Sequence, residues 1–279
     1  ATGELGSRVF KNLITLVPGT DVIISLYNPK GATPEIQRSG VEVRQGDFSK
    51  PETLDEAFKG GDKLLIVSYP SIAYDIRVNS HKAAIDAAKR VGVKHVYYTS
   101  LMFADDSKAA VMQAHLTTEK YLKESGLIYT IIREGIYCES YPLYFGYWRF
   151  GNPENEVKIP HGDGGVAWVC RDDLGEGTAK LMDTHKNETV LFTGSKAITL
   201  SELAGIISNL VKIDPPLQLK IVSEDEYIAS NQGGEDFLRK WATTYPALVR
   251  GELAVVDPLL RQVLGRDLKP FEETLKEEL

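Results

Sequence analysis

Two glycines near the start of the chain have the spacing of a phosphate-binding turn. Gly3-x-x-Gly6 leads into a stretch in which apolar residues recur with helical spacing. In dinucleotide-binding turns, one glycine lets the backbone approach a pyrophosphate and the next lets the helix pack closely, while the helix N-terminus supplies unpaired N–H groups. A plain helix cap is the alternative interpretation. The candidate cofactor-binding residues here are Thr2, Gly3, Glu4, Leu5 and Gly6.

Non-acidic residues occupy the position that would read the ribose of a dinucleotide. Tyr27 ends an apolar run and follows Gly6 by about 20 residues, where an Asp or Glu would hydrogen-bond the 2′-hydroxyl of NAD. Tyr27, Asn28 and Lys30 instead offer an aromatic ring, an amide and a cation. The cation suits a 2′-phosphate, so we expect NADP (as NADPH) to be the cofactor, with NAD less favoured.

Polar and aromatic residues follow four further apolar runs. In open α/β sheets, ligands lie outside the carboxyl ends of the strands, so these residues are candidate cofactor contacts. They are Asp47 and Phe48, then Ser68, Tyr69 and Pro70, then Thr99 and Ser100, and finally Glu134, Gly135, Ile136 and Tyr137. For Asp47 and Phe48, an ordinary turn is the alternative interpretation.

These residues must be positioned by alternating strands and helices. Apolar runs lie at 21–26, 41–44, 63–68, 93–99 and 127–132, and helices are predicted at about 6–17, 51–59, 75–91 and 112–125. Near-continuous apolar runs are typical of parallel strands that are covered on both faces. Gly92 and Gly126 stand where helices end in a left-handed residue. We therefore predict an α/β fold with a doubly wound, parallel Rossmann sheet.

The second half of the chain is less regular. Tyr137, Tyr141, Tyr144 and Trp148 have the spacing of one helix face, which could serve either as core packing or as a wall for a flat substrate. We expect residues 1–140 to form the dinucleotide-binding domain. Residues 141–279 would then form a smaller α+β substrate lobe, with some of the chain crossing back.

Three local signals mark elements of this second half. A strand is predicted at 189–193, and a capping box at Thr199 and Glu202 opens a helix. Arg171, Asp172 and Asp173 are expected to cap another helix, and Arg171 could also reach a cofactor or a substrate.

The composition excludes several classes of protein. The chain has 279 residues, 43% hydrophobic and 25% charged, which is typical of a globular protein and not of disorder, collagen or a coiled coil. Its formal net charge of −7 argues against nucleic acid as a direct partner. No apolar run approaches the roughly 18 residues needed to span a membrane. Cys138 and Cys170 lack metal-ligand spacing. We expect no metal, a small-molecule partner, a monomer or homodimer, and a cytoplasmic location.

Seven segments of the chain, in order, resemble an NmrA-like group of the atypical short-chain dehydrogenase/reductase family. The segments are ATGELG, VPGTDVIISLYNP, VEVRQGDFSKPETLDEAF, KLLIVS, GVKHVYYTSL, HLTTEKYLKESGLIYTIIREGIY and TLKEEL. Within that family the chain resembles the bacterial NADPH:quinone oxidoreductases and triphenylmethane dye reductases. The resemblance implies that Asp47 and Phe48 contact the adenine and that the stretch around Gly135 packs beside the nicotinamide.

The chain departs from the family in two places. The family's opening strand and first glycine are absent before Ala1, and we expect that strand to precede the sequence and to lie at the centre of the sheet. Tyr27 stands where relatives commonly carry an arginine for the 2′-phosphate. This departure shifts any selectivity for NADP towards Asn28 and Lys30.

Three side chains are candidates for catalysis: Lys120, His115 and Tyr137. Short-chain dehydrogenases pair Tyr-x-x-x-Lys, but the residue four before Lys120 is Leu116, so that proton donor is missing. Lys120 could orient the ribose or a substrate oxygen, or it could be a solvated surface lysine. His115 could help a substrate oxygen, or it could be structural.

The missing tyrosine bears on the type of acceptor. A ketone needs a proton on oxygen together with the hydride, whereas a quinone or a cationic dye can accept hydride directly. We therefore expect an NAD(P)H-dependent oxidoreductase that reduces a flat, electron-poor acceptor such as a quinone. Two alternatives remain: an NADP(H)-binding redox sensor or transcription co-regulator without turnover, and a secondary-metabolite reductase or isomerase.

Overall fold

The main sheet of the protein contains four parallel strands in the order β3, β4, β5, β8. The computed structural model describes residues 1–182, 184–277 and 279. The four strands span Lys63–Ile66 (β3), His95–Leu101 (β4), Ile128–Glu134 (β5) and Glu188–Phe192 (β8), each paired in parallel with its neighbour. Parallel strands connected through helices confirm the predicted α/β class.

A second parallel pair lies apart from this sheet. β1 (Ile23–Leu26) pairs with β2 (Glu42–Gln45), and within the described residues no strand joins β1 to β3. The expectation of one further, central strand therefore stays a prediction.

Helices cover both faces of the main sheet. Ala84 and Ile85 of α4 (Tyr74–Arg90) and Leu122 of α5 (Ala110–Glu124) share one buried cluster with Ile131 of β5. On the opposite face, Leu5 of α1 (Glu4–Leu16) packs in another cluster with Ile132. Neighbouring residues of a strand point to opposite faces, so this alternation explains why Ile131 and Ile132 are both buried.

Glycines end two of these helices as the sequence predicts. Gly92 follows α4 with φ 80°, and Gly126 follows α5 with φ 81°, both in the left-handed region that favours glycine. Two short helices, α2 (Pro34–Arg38) and α3 (Leu54–Phe58), lie near β2. No helix was predicted at α2, which is only five residues long and begins at a proline.

Part of the second half returns to the first. α7 (Arg171–Leu181) packs against α1, where a Cβ placed on Gly175 would lie 2.5 Å from the Cβ of Arg8. β8 joins the main sheet, and α12 (Leu259–Leu264) packs near it. The second half also contains the strands β6 (Glu156–Pro160), β7 (Gly165–Val166), β9 (Ile198–Thr199) and β10 (Gln218–Val222). Its further helices are α8 (Leu200–Val211), α9 (Glu224–Ser230), α10 (Glu235–Ala242), α11 (Thr244–Val249) and α13 (Phe271–Glu277).

Two local predictions for the second half had different outcomes. The capping box is confirmed: Thr199 caps α8, and its hydroxyl and backbone N–H both pair with Glu202. The single helix face predicted from Tyr137 to Trp148 is wrong. A 3₁₀ turn (Cys138–Ser140) and the short α6 (Tyr141–Tyr144) form there instead, and they are followed by the positive φ values of Gly146 and Tyr147, which end the helix.

In the part of the chain that the structure describes, no helix has both the length and the apolar character required to cross a membrane.

Candidate functional site

The predicted phosphate-binding turn lies at the N-terminus of α1. Gly3 is its N-cap, and the Ser7 N–H donates to the Gly3 carbonyl over 2.8 Å. The first N–H groups of a helix have no intrahelical partner, so this turn can bind an anion. A Cβ on Gly3 would meet no atom within 4 Å, which shows open space before the turn. Leu5 and Gly6 are buried, whereas Thr2 and Glu4 are exposed.

The residues predicted to read the ribose are exposed at the end of β1. Tyr27 is 71% exposed, and Asn28 and Lys30 are exposed as well. The Asn28 Oδ1 accepts the Lys30 backbone N–H over 3.1 Å, so the amide oxygen holds the turn. The Lys30 ammonium remains available to a phosphate.

The loops after β2 and β3 meet through two aromatic rings. Phe48 packs edge-to-face against Tyr69 at a centroid distance of 5.8 Å. Asp47 is buried, and its Oδ1 accepts both the N–H and the hydroxyl of Ser49, over 2.8 and 2.7 Å. These contacts favour the turn interpretation for Asp47. The exposed Pro70 follows Tyr69 in the same loop.

A buried network lies beneath the loop after β3. The Ser68 N–H donates to Thr99 Oγ1 over 3.0 Å, and the Tyr69 N–H donates to His81 Nε2 over 2.9 Å. Because Nε2 of His81 accepts, the neutral ring carries its proton on Nδ1, which donates to Thr118 Oγ1 at 2.9 Å. Burial, followed by the charge of Arg77, lowers the pKa of His81 to about 3. His81 is therefore neutral near pH 7.

His115 is part of the same network. The Arg77 guanidinium, which can only donate, lies 3.1 Å from His115 Nε2, so the proton of the neutral ring lies on Nδ1. That Nδ1–H donates to the Tyr98 hydroxyl over 2.8 Å. Burial lowers the pKa of His115, and the charge of Arg77 lowers it further. The residues predicted from the sequence did not include Arg77, His81 or Tyr98, although the four-residue spacing of Arg77 and His81 places both on one helix face.

A carboxyl–phenol pair lies at the end of β5. The Tyr137 hydroxyl donates to Glu134 Oε2 over 2.7 Å, and burial raises the pKa of Glu134 to about 8. Glu134 therefore keeps its proton near pH 7. Its Oε1 is buried and has no hydrogen-bond partner among the described residues. Glu134 shares the α1 face of β5 with Ile132, so this carboxyl group lies on the side of the proposed phosphate turn.

Gly135 lies at a close approach of backbone segments. A Cβ on Gly135 would lie 3.0 Å from the Ala167 carbonyl oxygen, and its N–H donates to the Phe192 carbonyl over 2.8 Å. The buried Ile136 accepts the Val169 N–H over 3.0 Å. Glycine is therefore required here by the protein's own packing. The Arg171 guanidinium lies 4.8 Å from the centre of the Tyr137 ring and closes one side of this stretch.

The geometry of α5 bears on two of the site expectations. The Ser100 hydroxyl donates to Glu119 Oε1 over 2.6 Å, and Glu119 forms a two-point, buried ion pair with Arg133. Ser100 is therefore hydrogen-bonded to this ion pair on the α4–α5 face of the sheet. The Lys120 side chain is 76% exposed and lies 3.9 Å from Glu124. This position fits a solvated lysine and does not support a catalytic role.

The remaining groups fit a dinucleotide. The N-terminal helix α1 packs on the Ile132 face of β5. An exposed cation after β1, the Phe48–Tyr69 pair after β2 and β3, and a carboxyl oxygen at the end of β5 that has no partner among the described residues all stand at the carboxyl ends of parallel strands. That edge is where α/β sheets bind their ligands.

The chain is similar to known NAD(P)H-binding proteins. A family model described as NAD(P)H-binding matches residues 1–142. An NmrA-like family domain-containing oxidoreductase from Aspergillus flavus is 34% identical over 290 residues, covering 99% of this chain and 92% of that protein.

Two solved structures are also similar. The triphenylmethane reductase of Citrobacter sp., complexed with NADP(H), has a TM-score of 0.88 at 30% identity and covers 100% of this chain and 98% of its own. An NADPH-dependent quinone oxidoreductase from Escherichia coli, complexed with NADPH, has a TM-score of 0.86 at 28% identity and covers 99% and 97%. The chain therefore belongs to the NmrA-like family of NAD(P)H-binding oxidoreductases.

Proposed function

We propose that the protein is an NADPH-dependent reductase that transfers hydride to a flat, electron-poor acceptor such as a quinone. The observation that carries this proposal is that the Phe48–Tyr69 pair and the Glu134–Tyr137 pair follow the carboxyl ends of parallel strands, while the N-terminal helix α1 packs on the Glu134 face of β5. Quinone and dye reduction by two structural relatives supports the choice of acceptor.

We assign the parts of the cofactor to groups of residues. The first turn of α1 would hold the pyrophosphate, Asn28 and Lys30 the 2′-phosphate, and Phe48 and Tyr69 the adenine. Ser68, Thr99 and the stretch from Glu134 to Tyr137 would line the nicotinamide end. When bound, NADPH supplies a hydride. The chain's own contribution is to bind, to orient and to exclude water.

The proton is the second requirement of the reaction. Leu116 stands where the Tyr-x-x-x-Lys pair has its tyrosine, and the Tyr137 hydroxyl already donates its hydrogen bond to Glu134. We therefore infer that the acceptor is one that takes hydride first, with solvent supplying the proton to the reduced product. His115 would act by holding Arg77 and Tyr98 in place, and Tyr137 by forming the floor of the site.

We further propose that the two halves of the chain bind different molecules. Residues 1–140 would bind the dinucleotide, and residues 141–279 would supply the acceptor-binding lobe, apart from α7 and β8, which return to the first half. Both cysteines are buried free thiols, which supports a reducing, cytoplasmic setting. We expect a monomer or a homodimer.

The test combines binding and turnover. NADPH and NADH are titrated by the change in protein fluorescence, and loss of the reduced-nicotinamide absorbance is followed with quinones, dyes and enones. We expect tight NADPH binding and oxidation by at least one quinone. Tight binding without oxidation by any acceptor would instead identify a redox sensor and would overturn the proposed reductase.

A further inference from the structure

Arg77 is a half-buried cation without an acidic partner. It lies near the start of α4, where Nε donates to the Tyr69 carbonyl over 2.6 Å and Nη1 donates to His115 Nε2 over 3.1 Å. Neither acceptor carries a negative charge. Within the described residues, no carboxylate forms an ion pair with Arg77, and burial lowers its pKa. Charged side chains that lose their water are normally paired, so this guanidinium is an exception that calls for an explanation.

The position of this cation is fixed in advance. His115 is held by Tyr98 through its other ring nitrogen, so its Nε2 is locked as an acceptor towards Arg77. A guanidinium has five N–H donors. The two bonds use two of them, so three, including both on Nη2, are left without a protein partner among the described residues. A ligand that binds this guanidinium would therefore not have to immobilise a mobile side chain.

Arg77 also lies at the proposed site. Tyr69 belongs to the loop after β3, and His115 links the guanidinium to Tyr98 of β4. The cation therefore lies beside the loop after β3, between α4 and α5. The proposed phosphate turn lies on the α1 face of the sheet, whereas Arg77 is carried by α4 on the other face.

We propose that Arg77 is a specificity-determining residue that binds an oxygen of the acceptor and selects neutral or anionic carbonyl acceptors against cationic dyes. This inference rests on the proposed function and names its substrate class. A quinone that gains a hydride and then a proton from solvent becomes a hydroquinone, and one of its oxygens passes through an anionic form. A fixed guanidinium stabilises that charge. The same cation repels a positively charged triphenylmethane dye.

The experiment compares three acceptors that differ in charge: a naphthoquinone sulfonate, menadione and a cationic triphenylmethane dye. The variants are Arg77→Gln and Arg77→Lys, with Lys82→Gln as the control because it removes one positive charge from the same helix. Losing a charged hydrogen bond corresponds to a loss of about tenfold or more. We expect Arg77→Gln to lower kcat/KM by this factor for the sulfonate and for menadione, and not for the dye. Arg77→Lys should recover part of the loss.

A binding measurement separates this proposal from the proposed function. Tryptophan fluorescence of the cofactor-free protein is titrated with the naphthoquinone sulfonate, and the Kd should rise about tenfold in Arg77→Gln and remain unchanged in Lys82→Gln. Equal losses for all three acceptors, no loss for any, or a matching rise in the Kd of NADPH would overturn the assignment. If wild type reduces no acceptor, the proposed function fails. The difference in sulfonate binding then decides alone whether Arg77 binds such a ligand.

Discussion

The Tyr137 hydroxyl lies 2.7 Å from Glu134 Oε2, and the other oxygen of that carboxyl group is buried without a partner among the described residues. A buried carboxyl group with a single hydrogen bond is poorly stabilised as an anion, which is why its pKa is raised to about 8. The end of β5 therefore holds a neutral acid near pH 7, on the face of the sheet where α1 begins.

The first prediction concerns the dependence of stability on pH. Between the ordinary pKa of 4.5 and the raised value of about 8, folded Glu134 keeps a proton that the unfolded chain releases. The free energy of unfolding should therefore fall as pH rises through this interval, with no further loss from this group above it. Glu134→Gln removes the titration, so Tm measured across the interval should fall less in the variant than in wild type.

A matched control uses Glu35→Gln, which changes an exposed glutamate on α2. Its Tm should follow the wild-type curve at every pH. If Glu134→Gln keeps the full wild-type decline, Glu134 is not the titrating group.

The second prediction concerns the support of the phosphate turn. A Cβ on Gly175 would lie 2.5 Å from the Cβ and 2.9 Å from the backbone carbon of Arg8, so Gly175→Ala should push α7 away from α1. We expect a loss of about 1–3 kcal/mol in the free energy of unfolding, as for other overpacked cores. The Kd of NADPH should rise as well, because α1 carries the turn.

Gly205→Ala is the control for this substitution. Gly205 is an exposed residue of α8, and a Cβ there would meet no atom within 4 Å. Alanine is the better helix former by about 1 kcal/mol, so this variant should be slightly more stable. Urea unfolding of both variants gives the comparison, and equal stability of the two would contradict the close packing of α1 and α7.

The third prediction contrasts two neighbouring residues of α5. Glu119→Gln breaks the buried ion pair with Arg133, which keeps Asp105 as a second partner, and should cost about 1–3 kcal/mol in the free energy of unfolding. Lys120→Ala removes an exposed side chain, so stability should stay within about 0.5 kcal/mol. The kcat/KM of Lys120→Ala should also be unchanged. A large loss of activity with intact folding would restore Lys120 as a catalytic candidate.

The fourth prediction concerns the choice of cofactor. Lys30 is exposed after β1, where it can pair with a 2′-phosphate. Lys30→Glu should raise the Kd of NADPH about tenfold or more through loss of a charged contact, and should leave the Kd of NADH unchanged. Lys11→Glu, on the exposed side of α1, makes the same change of charge and should alter neither. If the two variants change the Kd of NADPH equally, Lys30 acts through the general surface charge and not through a contact with the 2′-phosphate.

Features that depend on a few neighbouring residues were predictable from the sequence, whereas features that depend on tertiary packing were not. The left-handed ends at Gly92 and Gly126 and the cap at Thr199 were predictable because each depends on residues within one turn of chain. The break after α6 was not, because the spacing of the aromatic residues does not reveal the positive φ at Tyr147.

The sequence predicted the edge of the sheet at which the candidate site lies, but not how the side chains near it are arranged. The strand ends located Ser68, Thr99 and Glu134 because the carboxyl edge of a parallel sheet follows from topology. The placement of Glu119 inside and Lys120 outside depends on the rotation of α5 against the sheet, which packing decides. The network of Arg77 and His115 joins two helices and therefore leaves no local pattern in the sequence.

The most direct test of the central claim is the absorbance of bound NADPH after addition of menadione. The purified protein is first saturated with NADPH, and the reduced-nicotinamide band is then recorded with and without the quinone. We expect the band to disappear only with the quinone, in proportion to the quinone added. A protein that binds no NADPH, or one that holds it unchanged beside the quinone and every other acceptor offered, would contradict the account.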